Sequence, residues 1–285
     1  MFFRFVFYII FILYSQLWAN PITLYVKPDI IYQGSLVILN FENLDDNNSY
    51  YIKVNTGKSE YTVPIAGIEH YTTVFIGIPL STDRYAKIVL YENNTAVLLH
   101  NLEIRERIRK ISHLKVKRKF ARKRFSKALK ERLKKEHLLL TEKKKEYIEN
   151  RMFFNAPEFP VKNGKISSPF GAIRIFNNKR KSVHYGIDIP AVKGTPIHSL
   201  FDGRVTLVSN LYYSGNTVII NSGAGLVLLY AHLSKIYVKQ GERIRKGEII
   251  GEVGATGRVT GPHLHLGAFI HGVCIDPLSL FKAMK

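Results

Sequence analysis

Between Asn20 and Ile104 the hydrophobic pattern comes in short β-rich runs: "ITLYV", "SLVILNF", "YYIKVN", "EYTVPI", "HYTTVFIGI", "YAKIVLY" and "AVLLHNLEI". Polar turn-forming clusters, "LDDNNS", "NTGKS" and "YENNT", separate them. Seven such runs at a spacing of roughly ten residues predict a β-sandwich of immunoglobulin-like type, without the cysteine pair or central tryptophan that would mark a true immunoglobulin domain. The period then changes. Phe125, Leu129, Leu133, Leu140 and Tyr147 recur near helical spacing, which predicts a helix with one apolar stripe in an otherwise cationic segment. From Ala156 onward the runs are again short and glycine-punctuated: "GKISSPFG", "HYGIDIP", "DGRVTLVS", "NTVIINSG", "GLVLLYAHL", "EIIGEVG" and "PHLHLGAFI". They predict a mostly antiparallel β domain whose one candidate helix is "PLSLFKAM". The fold class expected is therefore mainly β, divided into 1–19, a β-sandwich-like domain 20–104, a basic helical linker 105–155 and a β domain 156–285.

Residues 1–19 belong to none of these. In "MFFRFVFYIIFILYSQLWAN" Arg4 precedes an apolar run from Phe5 to Leu13, and Ser15 and Gln16 lead to Ala19. The run is short against the roughly 20 apolar residues of a bilayer span, so it reads as a secretory signal peptide cleaved after Ala19, with an uncleaved anchor as the alternative. Either reading places the chain outside the cytoplasm, in the periplasm or cell envelope.

Charge changes the picture of the middle segment. The chain carries a formal net charge of +20, and residues 105–151 hold 20 Lys+Arg against 6 Asp+Glu. Two readings stand: a solvated helical linker, or electrostatic docking to an anionic wall polymer or a membrane surface. Nucleic acid is not expected, because the leader exports the chain and the helix has no interleaved base-stacking aromatics. Cys274 is the one cysteine. It permits no intramolecular disulfide, and any metal site must be built from His, Asp or Glu. In "GVCIDP" it reads as a small buried residue, the alternative being a reactive thiol.

The candidate chemistry lies in the last segment. Side chains two apart on a strand share a face, so His263 and His265 of "PHLHLG" project together while Leu264 points the other way. His184 and Asp188 of "HYGIDIP" align if that stretch is extended, which Gly186, Ile187, Ile189 and Pro190 favour over a helix. His232 in "YAHL" is a fifth polar residue in a β-rich setting. Imidazole and carboxylate are zinc ligands, and three of them leave a fourth position for water, the arrangement of a catalytic rather than a structural site. Surplus histidines then serve proton transfer and oxyanion stabilisation. An isolated His-x-His pair also occurs where imidazoles merely satisfy backbone groups. Similarly, "FDGRVTLVS" and "VKQGERIRKGEIIGEVG" would suit a lipoyl-type barrel, but the modified lysine motif is absent. Arg174 and Asn216 are candidates for a substrate groove or for structural hydrogen bonding, and His198 and His271 read as structural or exposed.

The order of "SSPFG", "HYGIDIP", "GTPI", "DGRV", "GNTVII", "YAHLS", "GERIRKGEIIGEVGATGRVTGPHLHLG" and "DP" resembles the lysostaphin/LytM-type zinc peptidases, family M23, which cleave peptides in peptidoglycan. The resemblance spans essentially the whole C-terminal domain. It implies an antiparallel β peptidase fold, one zinc ion per chain held by His184, Asp188 and His265, and His232 and His263 as catalytic histidines beside the metal. His263 is then the candidate general base and His232 the candidate for oxyanion or leaving-group assistance, their division of labour left open. Leu266 stands where a larger aromatic is common in the family. The implied function is an exported peptidoglycan endopeptidase that remodels the wall. The alternative is a non-catalytic wall-binding activator or scaffold, the fate of relatives that have lost ligands. The region before residue 152 resembles, more loosely, the amino-terminal parts of exported members, where it would tether the enzyme or govern access to its groove.

Overall fold

The structure is a computed structural model and describes residues 21–69, 71–116, 125–178 and 180–284. The leader 1–19 lies outside the described residues. All seven runs of the N-terminal region are strands, joined by a two-residue strand Ile31–Tyr32. A three-stranded sheet orders Thr23–Lys27, Leu36–Glu42 and Tyr71–Gly77, and a five-stranded sheet holds Ile31–Tyr32, Thr95–Arg105, Tyr85–Glu92, Tyr50–Asn55 and Glu60–Ile65. Alternation of the inward set Ile52, Val54, Ile88 and Leu90 with outward polar residues buries one face of each sheet around Leu39, Phe41 and Ile76.

The C-terminal region is built on a seven-stranded sheet. Its order is Ile187–Pro190, His263–Ile270, Leu226–Leu233, Gly215–Gly223, Gly203–Leu211 and Arg243–Ile244, with Val273–Ile275 pairing beside His263–Ile270. All of these pairings are antiparallel. The central strand Leu226–Leu233 is buried along its whole length, so both faces of the sheet are covered. One face, with Leu228, Tyr230, Leu264 and Leu266, forms the main core against Ile197, Phe201, Ile250 and the C-terminal helix Pro277–Ala283. Within that core the Leu200 N–H donates to the Tyr230 hydroxyl at 3.0 Å. Tyr230→Phe leaves this buried N–H unpaired and should cost about 1–3 kcal/mol, read as a lower denaturant midpoint at unchanged slope.

The basic segment departs from a simple helical linker. The helix runs from Lys127 to Lys145, N-capped by Ser126, whose hydroxyl accepts from the Leu129 N–H at 3.2 Å. It covers the second face of the sheet, with Leu139 and Leu140 against the cluster of Leu207, Ile219, Val227, Leu229 and Phe269. Glu136 receives the Tyr212 N–H at 2.9 Å, which fixes the helix to the sheet. Tyr147 lies beyond the helix end and stacks on His271 instead. Earlier in the segment Ile111–Leu114 is a strand, paired in parallel with Ile173–Phe176, whose other neighbour is Arg180–Val183. The Asn177 side chain extends this strap by bonding both the N–H and the carbonyl of Val116, at 2.9 and 3.0 Å.

The two β regions are joined by more than the chain. Leu36 and Phe75 of the sandwich share the core of the C-terminal region, and Leu36 N–H donates to Ser279 Oγ at 3.1 Å. Arg107, just before the strap, pairs with Asp276 at 2.8 Å and also donates to the Gln33 carbonyl at 2.8 Å.

Candidate metal centre and groove

Antiparallel pairing sets Asp188 directly opposite His265, and Pro190 opposite His263. Leu264 and Leu266 point to the opposite face and are fully buried, so this strand has an apolar back and a polar front. His184 joins from the turn ahead of Ile187–Pro190. Gly186 permits that approach, since a Cβ there would lie 2.4 Å from the Leu266 carbonyl oxygen and 2.6 Å from the His265 ring. His232 sits at the end of Leu226–Leu233 with φ of 70°, a left-handed conformation uncommon outside glycine. Its ring lies 4.8 Å from that of His263 and 5.9 Å from that of His265. All five predicted residues therefore meet in one place.

His184 Nε2, Asp188 Oδ1 and His265 Nδ1 form a triangle: 3.0 Å between the two histidines, 3.0 Å from His184 to Asp188 and 2.9 Å from His265 to Asp188. Ligand atoms about 2.0–2.1 Å from a tetrahedral zinc ion lie roughly 3.3 Å apart, so this two-imidazole, one-carboxylate set needs little adjustment to hold one. The second shell suits that use. His184 Nδ1 is 3.0 Å from the Pro169 carbonyl, which can only accept, so the proton sits on Nδ1 and Nε2 turns its lone pair inward. The same argument applies to His232 and His263, whose Nδ1 atoms lie 2.8 Å from the carbonyls of Thr256 and Gly261. Each presents a free Nε2 lone pair when neutral.

Electrostatics favour this protonation pattern. Burial pushes His184 down to about 4 and lowers His232 and His263 as well, leaving these imidazoles neutral at pH 7. Burial opposes ionisation of Asp188, but the close approach of the His184 and His265 imidazoles, the latter at 2.9 Å through Nδ1, overcomes it and holds the carboxyl below its usual range. Asp188 Oδ2 is held by Arg174, which also donates to Ser168 Oγ at 2.8 Å. His271, remote from this cluster, is likewise pushed by burial down to about 4. A histidine with a folded value below its unfolded 6.5 takes up its proton more readily when unfolded. Stability is therefore undiminished above pH 6.5 and falls as the pH drops towards 4, by up to about 1.4 kcal/mol per pH unit for each such histidine. The metal-free chain should show a lower guanidinium midpoint at pH 5 than at pH 7, and equal midpoints would contradict neutral burial of these rings.

Asp188 and His263 open onto a cavity of about 360 Å³. Its far wall is the strap, through Ser112, Leu114 and Val116, facing the loop Arg258–Pro262. A larger cavity of about 450 Å³ lies against Phe75, Tyr147, Arg151 and His271. Among the described residues the one group of three side chains able to hold a metal is His184, Asp188 and His265, so the chemistry belongs to the smaller cavity.

The other candidates sort cleanly. Arg174 reaches the site through Asp188. Asn216 is structural, donating to the Leu233 carbonyl at 3.0 Å and accepting from Asn210 at 2.7 Å. His198 bonds the Gly247 carbonyl through Nδ1 at 2.9 Å. Burial pushes the Cys274 thiol up to about 12, which removes it as a nucleophile. The strap was not foreseen as part of the site, although an extended "ISHLKV" would place Ser112, Leu114 and Val116 on one face.

The His-Asp-His cluster lies on an antiparallel sheet, is flanked by two further imidazoles and reaches the smaller cavity through Asp188, a donor set suited to a hydrolytic metal site. Residues 182–277 match the family profile described as "Peptidase family M23", so the C-terminal region is similar to that family over those residues. The resemblance noted in the motifs is thus confirmed. Peptidoglycan DD-endopeptidase ShyA of Vibrio cholerae is 42% identical over 120 residues, which are 42% of this chain and 27% of that protein. DD-carboxypeptidase/endopeptidase Mpg of Neisseria meningitidis is 44% identical over 123 residues, 42% of this chain and 28% of that protein. The match thus spans less than a third of these relatives' length. A crystal structure of a putative peptidase M23 from Pseudomonas aeruginosa superposes with a TM-score of 0.64 at 23% identity, covering 88% of this chain and 95% of that one. That likeness shows the fold, N-terminal sandwich included.

Proposed function

We propose that this chain is an exported zinc-dependent endopeptidase that hydrolyses peptide bonds in the stem peptides or cross-bridges of peptidoglycan. The observation that carries the reading is the meeting of His184, Asp188 and His265 within 3.0 Å of one another, beside two neutral imidazoles and next to a cavity that Asp188 and His263 line. The names of the relatives, a peptidoglycan DD-endopeptidase and a DD-carboxypeptidase/endopeptidase, support the substrate. The apolar leader supports export to the periplasm or cell envelope.

In this reading His184 Nε2, Asp188 Oδ1 and His265 Nδ1 hold one zinc ion. Bound there, zinc supplies Lewis acidity and a water acidic enough to ionise near neutral pH. The chain's own residues do the rest. His263 Nε2 accepts the proton of the attacking water and returns it to the nitrogen of the leaving amine. His232, whose ring stands 4.8 Å from that of His263, donates from Nε2 to the developing oxyanion once the ring has taken up a proton from solvent. Thr256 and Gly261 hold the two rings through their Nδ1 protons. Arg174 keeps Asp188 ionised and turned towards the imidazoles.

The helix Lys127–Lys145 supports a second role. With Leu139 and Leu140 turned to the sheet, Lys127, Lys130, Lys134, Lys135 and Lys145 remain exposed, a cationic face for docking on an anionic envelope surface. The non-catalytic scaffold is the rival reading, and turnover separates them. Zinc-loaded full-length protein should release peptide-cut fragments from purified peptidoglycan, identified by mass spectrometry, and chelation should stop release. A metal-replete chain that binds wall material and cuts nothing would favour the scaffold.

A further inference from the structure

Two of the three cluster residues are gripped by one short segment, residues 167–172, which lies ahead of the matched region 182–277. The Ser167 N–H donates to the Asp188 carbonyl at 3.0 Å, and the Ser168 carbonyl accepts the Asp188 N–H at 3.0 Å. His184 is held more closely still. Its Nδ1 donates to the Pro169 carbonyl at 3.0 Å, its carbonyl accepts the Gly171 N–H at 2.8 Å, and its N–H donates to the Ala172 carbonyl at 2.9 Å. These bonds fix the backbones of both residues and the ring of His184, the kind of supporting contact on which metal affinity depends.

The segment is in turn held by the N-terminal sandwich. Phe170 is buried in the core that Leu36, Phe75 and Leu80 of the sandwich share with the C-terminal region. Its ring fills the space beside Gly34, where a Cβ would run into Phe170 Cε1 and where φ is 81°. Arg107 closes the same joint. Its guanidinium lies 5.5 Å from the centroid of the Phe170 ring while it pairs with Asp276 and donates to the Gln33 carbonyl. The Gly34 carbonyl accepts the Asp276 N–H at 2.7 Å, which ties the turn to the start of the C-terminal helix. On its other side Phe170 meets the ring of Tyr185, next in sequence to His184, edge to face at 6.4 Å between centroids.

We infer that Phe170 is a positioning residue for the metal cluster: through it the docked sandwich holds His184 and Asp188 in ligating geometry. Zinc affinity is then a property of the whole chain rather than of residues 182–277 alone. The inference rests on the reading that His184, Asp188 and His265 hold zinc, and it gives the sandwich a part in the chemistry without any contact with substrate.

The test reads zinc binding rather than turnover. Chelator competition measures the zinc affinity of the full-length parent, Phe170→Ala, Gly34→Ala and Ile88→Val. Ile88 lies in the sandwich's own core, which does not include Phe170, so its variant reports plain loss of stability. Phe170→Ala and Gly34→Ala should each bind zinc about tenfold more weakly than the parent, with Ile88→Val unchanged. In the metal-free chains, NMR of the imidazole nitrogens should find the His184 Nδ1 signal displaced in both joint variants and in place in Ile88→Val. Phe170→Leu keeps most of the apolar bulk but loses the ring contacts. It should bind zinc with an affinity between those of the parent and the alanine variant, and it carries the test should the other joint variants not fold. Parent-like affinity in every folded joint variant, an unmoved His184 signal in those variants, or an equal loss of affinity in Ile88→Val would each overturn the inference. A parent that binds no zinc would overturn the metal reading, and the inference with it.

Discussion

Asp188→Ala should strip the chain of its metal and of its peptidase activity together. Asp188 supplies the only carboxylate of the cluster, and its Oδ1 lies within 3.0 Å of both His184 Nε2 and His265 Nδ1. Loss of a residue that merely supports a zinc ligand typically costs 10–100-fold in affinity, so loss of the anionic ligand itself should exceed about 100-fold. The same substitution leaves Arg174 without its partner in a setting where the two side chains are only 15% and 10% exposed. A mostly buried cation without its counter-charge is costly, on the order of 3–5 kcal/mol for a fully buried pair. The metal-free variant should therefore melt earlier than the metal-free parent. Chelator competition measures the first effect and a denaturant titration the second, and an unchanged metal affinity would remove Asp188 from the ligand set.

His263→Ala should behave differently. Its Nε2 stands 3.8 Å from Asp188 Oδ1, outside the triangle of close contacts, and its Nδ1 is committed to the Gly261 carbonyl. Removing it should leave metal content near that of the parent and lower turnover by about 10²–10⁴, the usual contribution of a general acid or base. Metal analysis beside a peptidoglycan digestion assay reads both halves. Loss of zinc on removing His263 would mean that the two histidines of the strand are interchangeable ligands.

The fold was legible wherever a local pattern decided it. Strand alternation around Ile52, Val54 and Leu90 needed no partner information, and neither did the opposed faces of His263, Leu264 and His265. The helix was legible as to type but not as to role. Its spacing marks an apolar stripe, but only the three-dimensional contact of Leu139 and Leu140 with Leu229 and Phe269 shows that the helix covers a sheet face. The strap was hidden for a related reason. Four residues, Ile111–Leu114, form a strand by borrowing the hydrogen bonds of Ile173–Phe176, more than 50 positions away, and "ISHL" among dense lysines and arginines carries no period-two alternation to mark it. Arg174 illustrates a third limit. The sequence makes it a candidate for the groove but says nothing of its pairing with Asp188, which depends on how the strand Ile173–Phe176 of one sheet is set against the strand Ile187–Pro190 of another. The site residues were readable as two short-range pairs, His184 with Asp188 and His263 with His265, and through the order of the motifs, whereas the strand pairing that sets Asp188 opposite His265 spans 77 positions.

The central claim is that His184, Asp188 and His265 hold a metal on which hydrolysis depends, while His263 acts without holding it. Its most direct test is zinc per chain, measured together with wall digestion for the parent, His263→Ala, His265→Ala and the double variant His184→Ala, Asp188→Ala. The account predicts about one zinc with turnover for the parent and zinc without turnover for His263→Ala. His265→Ala and the double variant should retain neither. Full digestion of peptidoglycan by the zinc-free double variant would contradict it.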